Sequence, residues 1–215
     1  MNIVVSGPSS GIGKAIAENF LQNGHSVFGF DLRESNIIHP NYRHFVQDIR
    51  KEPLPTPEGV EILVNNAGTL EESEAIDVNL TGTICFTEHF LESSALRSVL
   101  FIASASARNG AEIPRYVASK AGIVGYMKNL ALALAGRRVT CNSISPGGVI
   151  TPANRHILED ERLYAAVKAE TLLGKWAEPE EIADLAYFLT VTNRSITGED
   201  ILIDNGEMLK SNFIW

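Results

Sequence analysis

Basic residues are in the minority: 18 Lys and Arg stand against 26 Asp and Glu, for a net charge of −8. Binders of a phosphate backbone normally carry a basic stripe, so nucleic acid is not an expected partner. The same balance counts against electrostatic recruitment of an acidic carrier protein. Only two cysteines occur, Cys85 and Cys141. That is too few for a disulfide framework or a cysteine metal cluster, and both read as small apolar side chains of a reduced protein with no metal site. No apolar run reaches bilayer length, because Lys128 breaks the best one, residues 121–135. The first five residues run straight into a glycine turn, too short a stretch for the core of a secretory signal. No membrane association and a cytoplasmic location are therefore expected. Internal repeats and interdomain linkers are also lacking, so residues 1–215 read as one domain with an ordinary core.

What is there is an alternation. Short apolar runs at 3–6, 27–31, 43–46, 62–65, 99–103, 138–144 and 201–204 read as strands. Segments of helical period separate several of them, at 11–23, 75–94 and 114–135. Gly24 is a helix stop. Strands apolar on both faces, separated by helices, predict an α/β fold with a doubly wound parallel sheet covered on both sides. Two connections are compressed. Residues 31–42 hold His39-Pro40, and 52–59 hold Pro53, Pro55 and Pro57, so neither leaves room for a full crossover helix.

The first strand–helix turn reads Ser6-Gly7-Pro8-Ser9-Ser10-Gly11-Ile12-Gly13. Glycines at these positions allow a tight turn, close approach to a pyrophosphate, and packing of helix on sheet. The helix start offers free N–H groups and a positive dipole end to phosphate. Asp31 closes the second strand, with Leu32 after it. A carboxylate there accepts hydrogen bonds from an adenosine ribose and repels a 2′-phosphate, which favours NAD over NADP. Arg33 is the one nearby cation that could hold such a phosphate.

Further along, Tyr116 and Lys120 are spaced i, i+4 and so share a helix face. With Tyr116-Val117-Ala118-Ser119-Lys120 added to the glycine turn, Asn65-Asn66-Ala67-Gly68, Asn79, Ser104 and Pro146-Gly147, the chain resembles the classical short-chain dehydrogenase/reductase family over nearly its whole length. The resemblance implies hydride transfer between a nicotinamide dinucleotide and a secondary alcohol or carbonyl. Tyr116 would be the general acid/base, Ser104 would hold the substrate oxygen, and Asn79 would support a water-linked proton path through Lys120. A free tyrosine titrates near pH 10, and Lys120 with an oxidised nicotinamide is expected to lower that value. Ser106 is the rival to Ser104, but Ser104 directly follows the strand.

Cofactor contacts are expected at Gly7, Ser9, Ser10, Gly11, Ile12 and Gly13, and at Asp31 and Leu32. By resemblance, Asp48 and Ile49 would meet the adenine, and Asn66, Ala67 and Gly68 would approach the adenosine ribose. Tyr116 and Lys120, then Pro146, Gly147, Val149 and Thr151, would meet the nicotinamide end. Asp48 also reads as a helix N-cap, and Asn65 as a sheet-stabilising residue.

The stretch from Gly68 to Asn79 is shorter than is usual in the family, which opens the substrate side. Residues 152–176 are the expected lid; its mixed charges, Arg155, His156, Arg162 and Lys168 with Glu159, Asp160 and Glu161, read as a solvated helix face. The long helix at 114–135 is apolar or small on more than one face, and the tail Phe213-Ile214-Trp215 is apolar. Both suggest a homodimer or homotetramer. Two alternatives stand beside the alcohol dehydrogenase: a 3-oxoacyl-thioester reductase, and a non-catalytic dinucleotide-binding or redox-sensing protein.

Overall fold

The computed structural model describes residues 1–209. The tail at Phe213-Ile214-Trp215 therefore lies outside the described residues. Seven strands are present: β1 Asn2–Ser6, β2 Ser26–Asp31, β3 Tyr42–Val46, β4 Val60–Asn65, β5 Ser98–Ile102, β6 Thr140–Pro146 and β7 Asp200–Ile203. They form one parallel sheet in the order β3-β2-β1-β4-β5-β6-β7. The chain leaves β1 for one edge and later returns to build the other side from β4. That reversal opens a crevice at the carboxyl ends of β1 and β4.

Strand alternation explains the runs that are apolar on both faces. Ile3 and Val5 of β1 join one core with Ile62, Val64 and Leu100. The helices α1 (Gly11–Gln22) and α7 (Pro179–Tyr187) cover it through Ile16, Phe20 and Ile182. Val4 points the other way, into a core with Phe30, Leu63 and Phe101. There α2 (Thr83–Phe90) and α4 (Pro114–Leu134) supply Phe86, Phe90, Ile123 and Met127.

Both compressed connections lack a helix, as their prolines predict. Several boundaries differ from expectation by one to four residues, two of them for a visible reason. The helix anticipated at 75–94 begins as a π-helical turn, Ile76–Gly82, before continuing as α2 and stopping at Phe90. Strand β6 starts at Thr140 rather than at Arg138, because Arg138 adopts a left-handed backbone (φ 56°) that closes the preceding turn. No helix among the described residues is long and apolar enough to cross a membrane.

Three short helices complete the chain: α3 (Ser106–Asn109) after β5, then α5 (Arg155–Leu158) and α6 (Glu161–Ala169) between β6 and α7. The segment carrying α5 and α6 returns to the sheet through a parallel bridge between Val149 and Ala177. Two hydrogen bonds hold that bridge, Ile150 N–H to the Ala177 carbonyl at 2.9 Å and Ala177 N–H to the Gly148 carbonyl at 3.0 Å. Residues 152–176 are thereby anchored at both ends beside the crevice.

Candidate active site

The glycine turn is shaped by what it cannot hold. Gly7 sits at φ +70°, and a Cβ on it would fall 2.9 Å from Ala67 Cα; one on Gly13 would fall 2.2 Å from the Gly7 carbonyl oxygen. Only glycine permits these approaches. Asn66 locks the turn from the β4 side, its Nδ2 donating to the carbonyls of Ser6 (3.1 Å) and Gly7 (3.0 Å). Ser6 Oγ in return accepts from the Asn66 and Ala67 amides, both at 3.0 Å. Ser10 caps α1 with an extended backbone but without a side-chain cap bond, and no acidic residue lies in the first turn. The first N–H groups and the positive helix end therefore face the crevice uncompensated, as a pyrophosphate requires. The residues present fit a dinucleotide.

At the ribose end Asp31 is buried at the tip of β2. Its carboxylate accepts from Ser9 N–H (3.1 Å) and Arg33 N–H (3.0 Å). The Arg33 side chain spans the same place, its Nε 3.6 Å from Asp31 Oδ1 and its Nη2 donating to Ser10 Oγ at 2.8 Å. Asp48 is held by the Arg50 guanidinium through Nε (3.0 Å) and Nη2 (2.9 Å), which keeps its carboxyl below the usual carboxylate range. Arg50 was not anticipated. Its stem lies where a Cβ on Gly82 would stand, 2.8 Å from Arg50 Cγ, a proximity that no sequence pattern signals.

Helix α4 carries Tyr116 and Lys120 on its crevice side. Lys120 is buried, its Nζ donating to the Ile102 carbonyl at 2.9 Å and lying 5.7 Å from the centre of the Tyr116 ring. Burial brings its ammonium down to about 8. In the protein alone the Tyr116 hydroxyl is raised above its ordinary value. Burial pushes it up, a hydrogen bond with Ser104 pulls it down, and the Glu112 carboxylate pushes it up again. Desolvation of a phenolate thus outweighs its neighbours.

Ser104 accepts hydrogen bonds from Ser106 Oγ (2.9 Å) and Ser106 N–H (3.2 Å). With its oxygen so occupied, Ser104 keeps its own proton to donate. Ser106, the rival of Ser104, is buried, lines the same cleft and supports Ser104 by donating to it. Asn79 sits in the π-helical turn, away from the crevice wall. It accepts from Thr69 N–H at 2.7 Å and donates to the Thr69 carbonyl (2.9 Å) and Ser119 Oγ (3.1 Å). Ser119 Oγ donates to the Tyr116 carbonyl at 2.7 Å, so Asn79 joins the loop after β4 to the helix of the tyrosine. Asn65, expected to brace the sheet, is buried with neither amide atom hydrogen-bonded among the described residues.

These parts line one cleft of about 980 Å³. Gly7, Ser10, Gly11 and Ile12 form one wall, and Asp31, Leu32, Asp48 and Ile49 close the adenosine end. Asn66, Ala67 and Gly68 floor it, and Ser104, Tyr116 and Lys120 face Pro146, Gly147, Val149 and Thr151. Of the anticipated residues, Ser9, Gly13 and Asn79 stand behind the wall. Trp176, also unanticipated, lies over Gly148, where a Cβ would come within 2.2 Å of the indole. No group of three or more His, Cys, Asp or Glu that could hold a metal occurs among the described residues.

A glycine cradle for a dinucleotide, opening onto a tyrosine, a buried lysine and a serine, defines an oxidoreductase that uses a nicotinamide dinucleotide. Comparison with known proteins agrees. Residues 41–207 match the family described as "Enoyl-(Acyl carrier protein) reductase". The 3-oxoacyl-[acyl-carrier-protein] reductase of Aquifex aeolicus is 30% identical, over 95% of this chain and 86% of its own. A 4-hydroxyisoleucine dehydrogenase solved with NADH superposes with a TM-score of 0.85 at 26% identity, covering 98% of this chain and 99% of that one. An Agrobacterium tumefaciens chain solved with NADP gives 0.87 at 26% identity, covering 97% and 96%. The chain belongs to the short-chain dehydrogenase/reductase family. Its class is accordingly an NAD(P)-dependent oxidoreductase acting at a CH–OH or carbonyl carbon.

Proposed function

We propose that this protein interconverts a secondary alcohol and a ketone with NAD(H), using Tyr116 as the general acid/base. The observation that carries this reading is the meeting of Tyr116, Lys120 and Ser104 on one cleft with the glycine cradle. When bound, the cofactor supplies or accepts the hydride, and its oxidised ring adds a positive charge beside the phenol. In the reducing direction Ser104 donates a hydrogen bond to the carbonyl oxygen and Tyr116 Oη delivers the proton. In the oxidising direction Tyr116 takes that proton back. Lys120 stands beside the tyrosine ring as the cation that favours phenolate; Asn79 keeps the two in place through Thr69 and Ser119. Backbone around Val149 and the Thr151 hydroxyl would orient the nicotinamide amide.

NAD is favoured because Asp31 presents a buried carboxylate where a 2′-phosphate would sit, while Arg33 beside it makes NADP the slower alternative rather than an impossible one. Residues 152–176 act as the lid, and α4 offers the face for a second subunit. Its outer side exposes Ala118, Ala121, Gly125 and Leu132. A cytoplasmic homo-oligomer is the expected form. The family description and the Aquifex relative favour one second reading, reduction of a 3-oxoacyl thioester. The test common to both is Tyr116→Phe. Turnover of any substrate should fall by roughly 10²–10⁴ while NADH fluorescence titrates with unchanged affinity; activity within a few-fold of wild type would exclude the assigned role.

A further inference from the structure

At the substrate end of the cleft stands a carboxylate that the proposed chemistry does not use. Strand β7 ends at Ile203, and the turn after it is fastened by Asp204, which accepts from Gly206 N–H (2.9 Å) and Met208 N–H (2.8 Å). Glu207 N–H donates to the Asp204 carbonyl at 3.1 Å, so the backbone of Glu207 is held against the cleft wall. Its side chain reaches Gly147, on which a Cβ would lie 3.0 Å from Glu207 Oε2. The carboxylate therefore occupies space that a larger residue at 147 would fill, in the turn that carries the nicotinamide-facing residues.

Among the described residues no cation acts on the charge of Glu207. Arg33 and Arg50 line the distant adenosine end, Lys120 directs its ammonium to the Ile102 carbonyl, and His156 is the remaining basic side chain on the wall. Glu112 and Glu170 line the same end, and both act on Glu207 through their charge. Glu112 acts on Tyr116 as well, which ties Glu207 and the tyrosine to one neighbourhood. Burial, followed by the charge of Asp204 and of Glu170, pushes the Glu207 carboxyl up, while a hydrogen bond from the Gly148 backbone pulls it down.

We propose that Glu207 is a specificity-determining residue, accepting a hydrogen bond from a hydroxyl or ammonium group carried by the carbon next to the reacting carbinol. The assignment rests on the reading of the cleft as an alcohol dehydrogenase site. It makes polyhydroxylated and amino alcohols the favoured class and disfavours α-hydroxy acids, whose carboxylate would face Glu207.

Three small ligands isolate the effect: propane-1,2-diol, 1-aminopropan-2-ol and lactate share one methyl carbinol and differ only in the neighbouring group. Binding of each to the NADH-loaded protein is followed by NADH fluorescence, and turnover with NAD is measured in parallel. The diol and the amino alcohol should bind tighter than lactate, and Glu207→Gln should shrink the advantage of the amino alcohol by about tenfold or more, a charge-assisted hydrogen bond being lost. Glu207→Asp, which keeps the charge, should preserve the order of the three. Tightest binding by lactate, or an order and spacing unchanged in Glu207→Gln, would overturn the proposal. If no ligand turns over while the binding order holds and collapses in Glu207→Gln, the specificity assignment stands and the dehydrogenase reading fails.

Discussion

At the adenosine and pyrophosphate end, the cleft is walled mainly by backbone: the glycine turn, the Asn66-Ala67-Gly68 loop and the open start of α1. At the substrate end it is walled by side chains from four separated stretches, among them Glu112, Asn154, Glu170 and Glu207. The turn tolerates almost no change at Gly7 and Gly13, where a Cβ would collide with Ala67 and with the Gly7 carbonyl. A side-chain wall can be rewritten one residue at a time without disturbing the sheet behind it. Common cofactor and variable substrate are what such a division provides.

That comparison can be broken at either end. The largest effect is expected from Gly13→Val. Its side chain would have to enter space within 2.2 Å of the Gly7 carbonyl, and overpacking here displaces the turn itself. NADH affinity, read by fluorescence titration, should fall roughly a hundredfold, with the far-UV circular dichroism retained; unchanged affinity would mean that the turn is not the cradle.

At the junction of the two ends, Lys120→Met should separate stability from chemistry. The ammonium is fully buried and depressed to about 8 from an ordinary 10.5, so below pH 8 the folded protein carries a charge whose burial destabilises it. Between about 8 and 10.5 the unfolded chain binds the extra proton, so wild-type stability from this group rises with pH. The variant should therefore be the more stable at pH 7, by about 2 kcal/mol once the unpaired Ile102 carbonyl is set against the gain. The difference should shrink toward pH 10.5, as denaturant unfolding at several pH values will reveal. A variant less stable at every pH contradicts the account.

The smallest expected effect belongs to the ribose site. Asp31→Ala removes the carboxylate and leaves Arg33 to face a 2′-phosphate alone, so the ratio of kcat/KM for NAD over NADP should drop about tenfold. An unchanged ratio would place cofactor choice elsewhere.

Much of this was readable in the chain itself. Seven apolar runs predicted seven parallel strands, and the prolines of the two short connections predicted that no helix would form there. Most of the motif residues line one cleft, because glycine turns, i, i+4 pairs and strand ends are local rules; Ser9, Gly13 and Asn79 do not. Ser104 and Ser106 are serines two positions apart near a strand end; which of them accepts from the other is set by the local backbone at the start of α3 and not by residue type. Lys120 and Glu112 each lie four positions from Tyr116 and are both visible in the sequence, whereas the depth of burial that raises the phenol in the protein alone is not.

The sequence by itself therefore determined the sheet, the cradle and the Tyr116–Lys120 pair, since each depends on periodicity or on residues a few positions apart. Tertiary structure alone decided that Asn79 would be occupied by Thr69 and Ser119, and that Glu207 would reach the substrate side from the far end of the chain. Those contacts join segments separated by folding rather than by spacing, and burial, which sets their electrostatics, is a property of the whole fold.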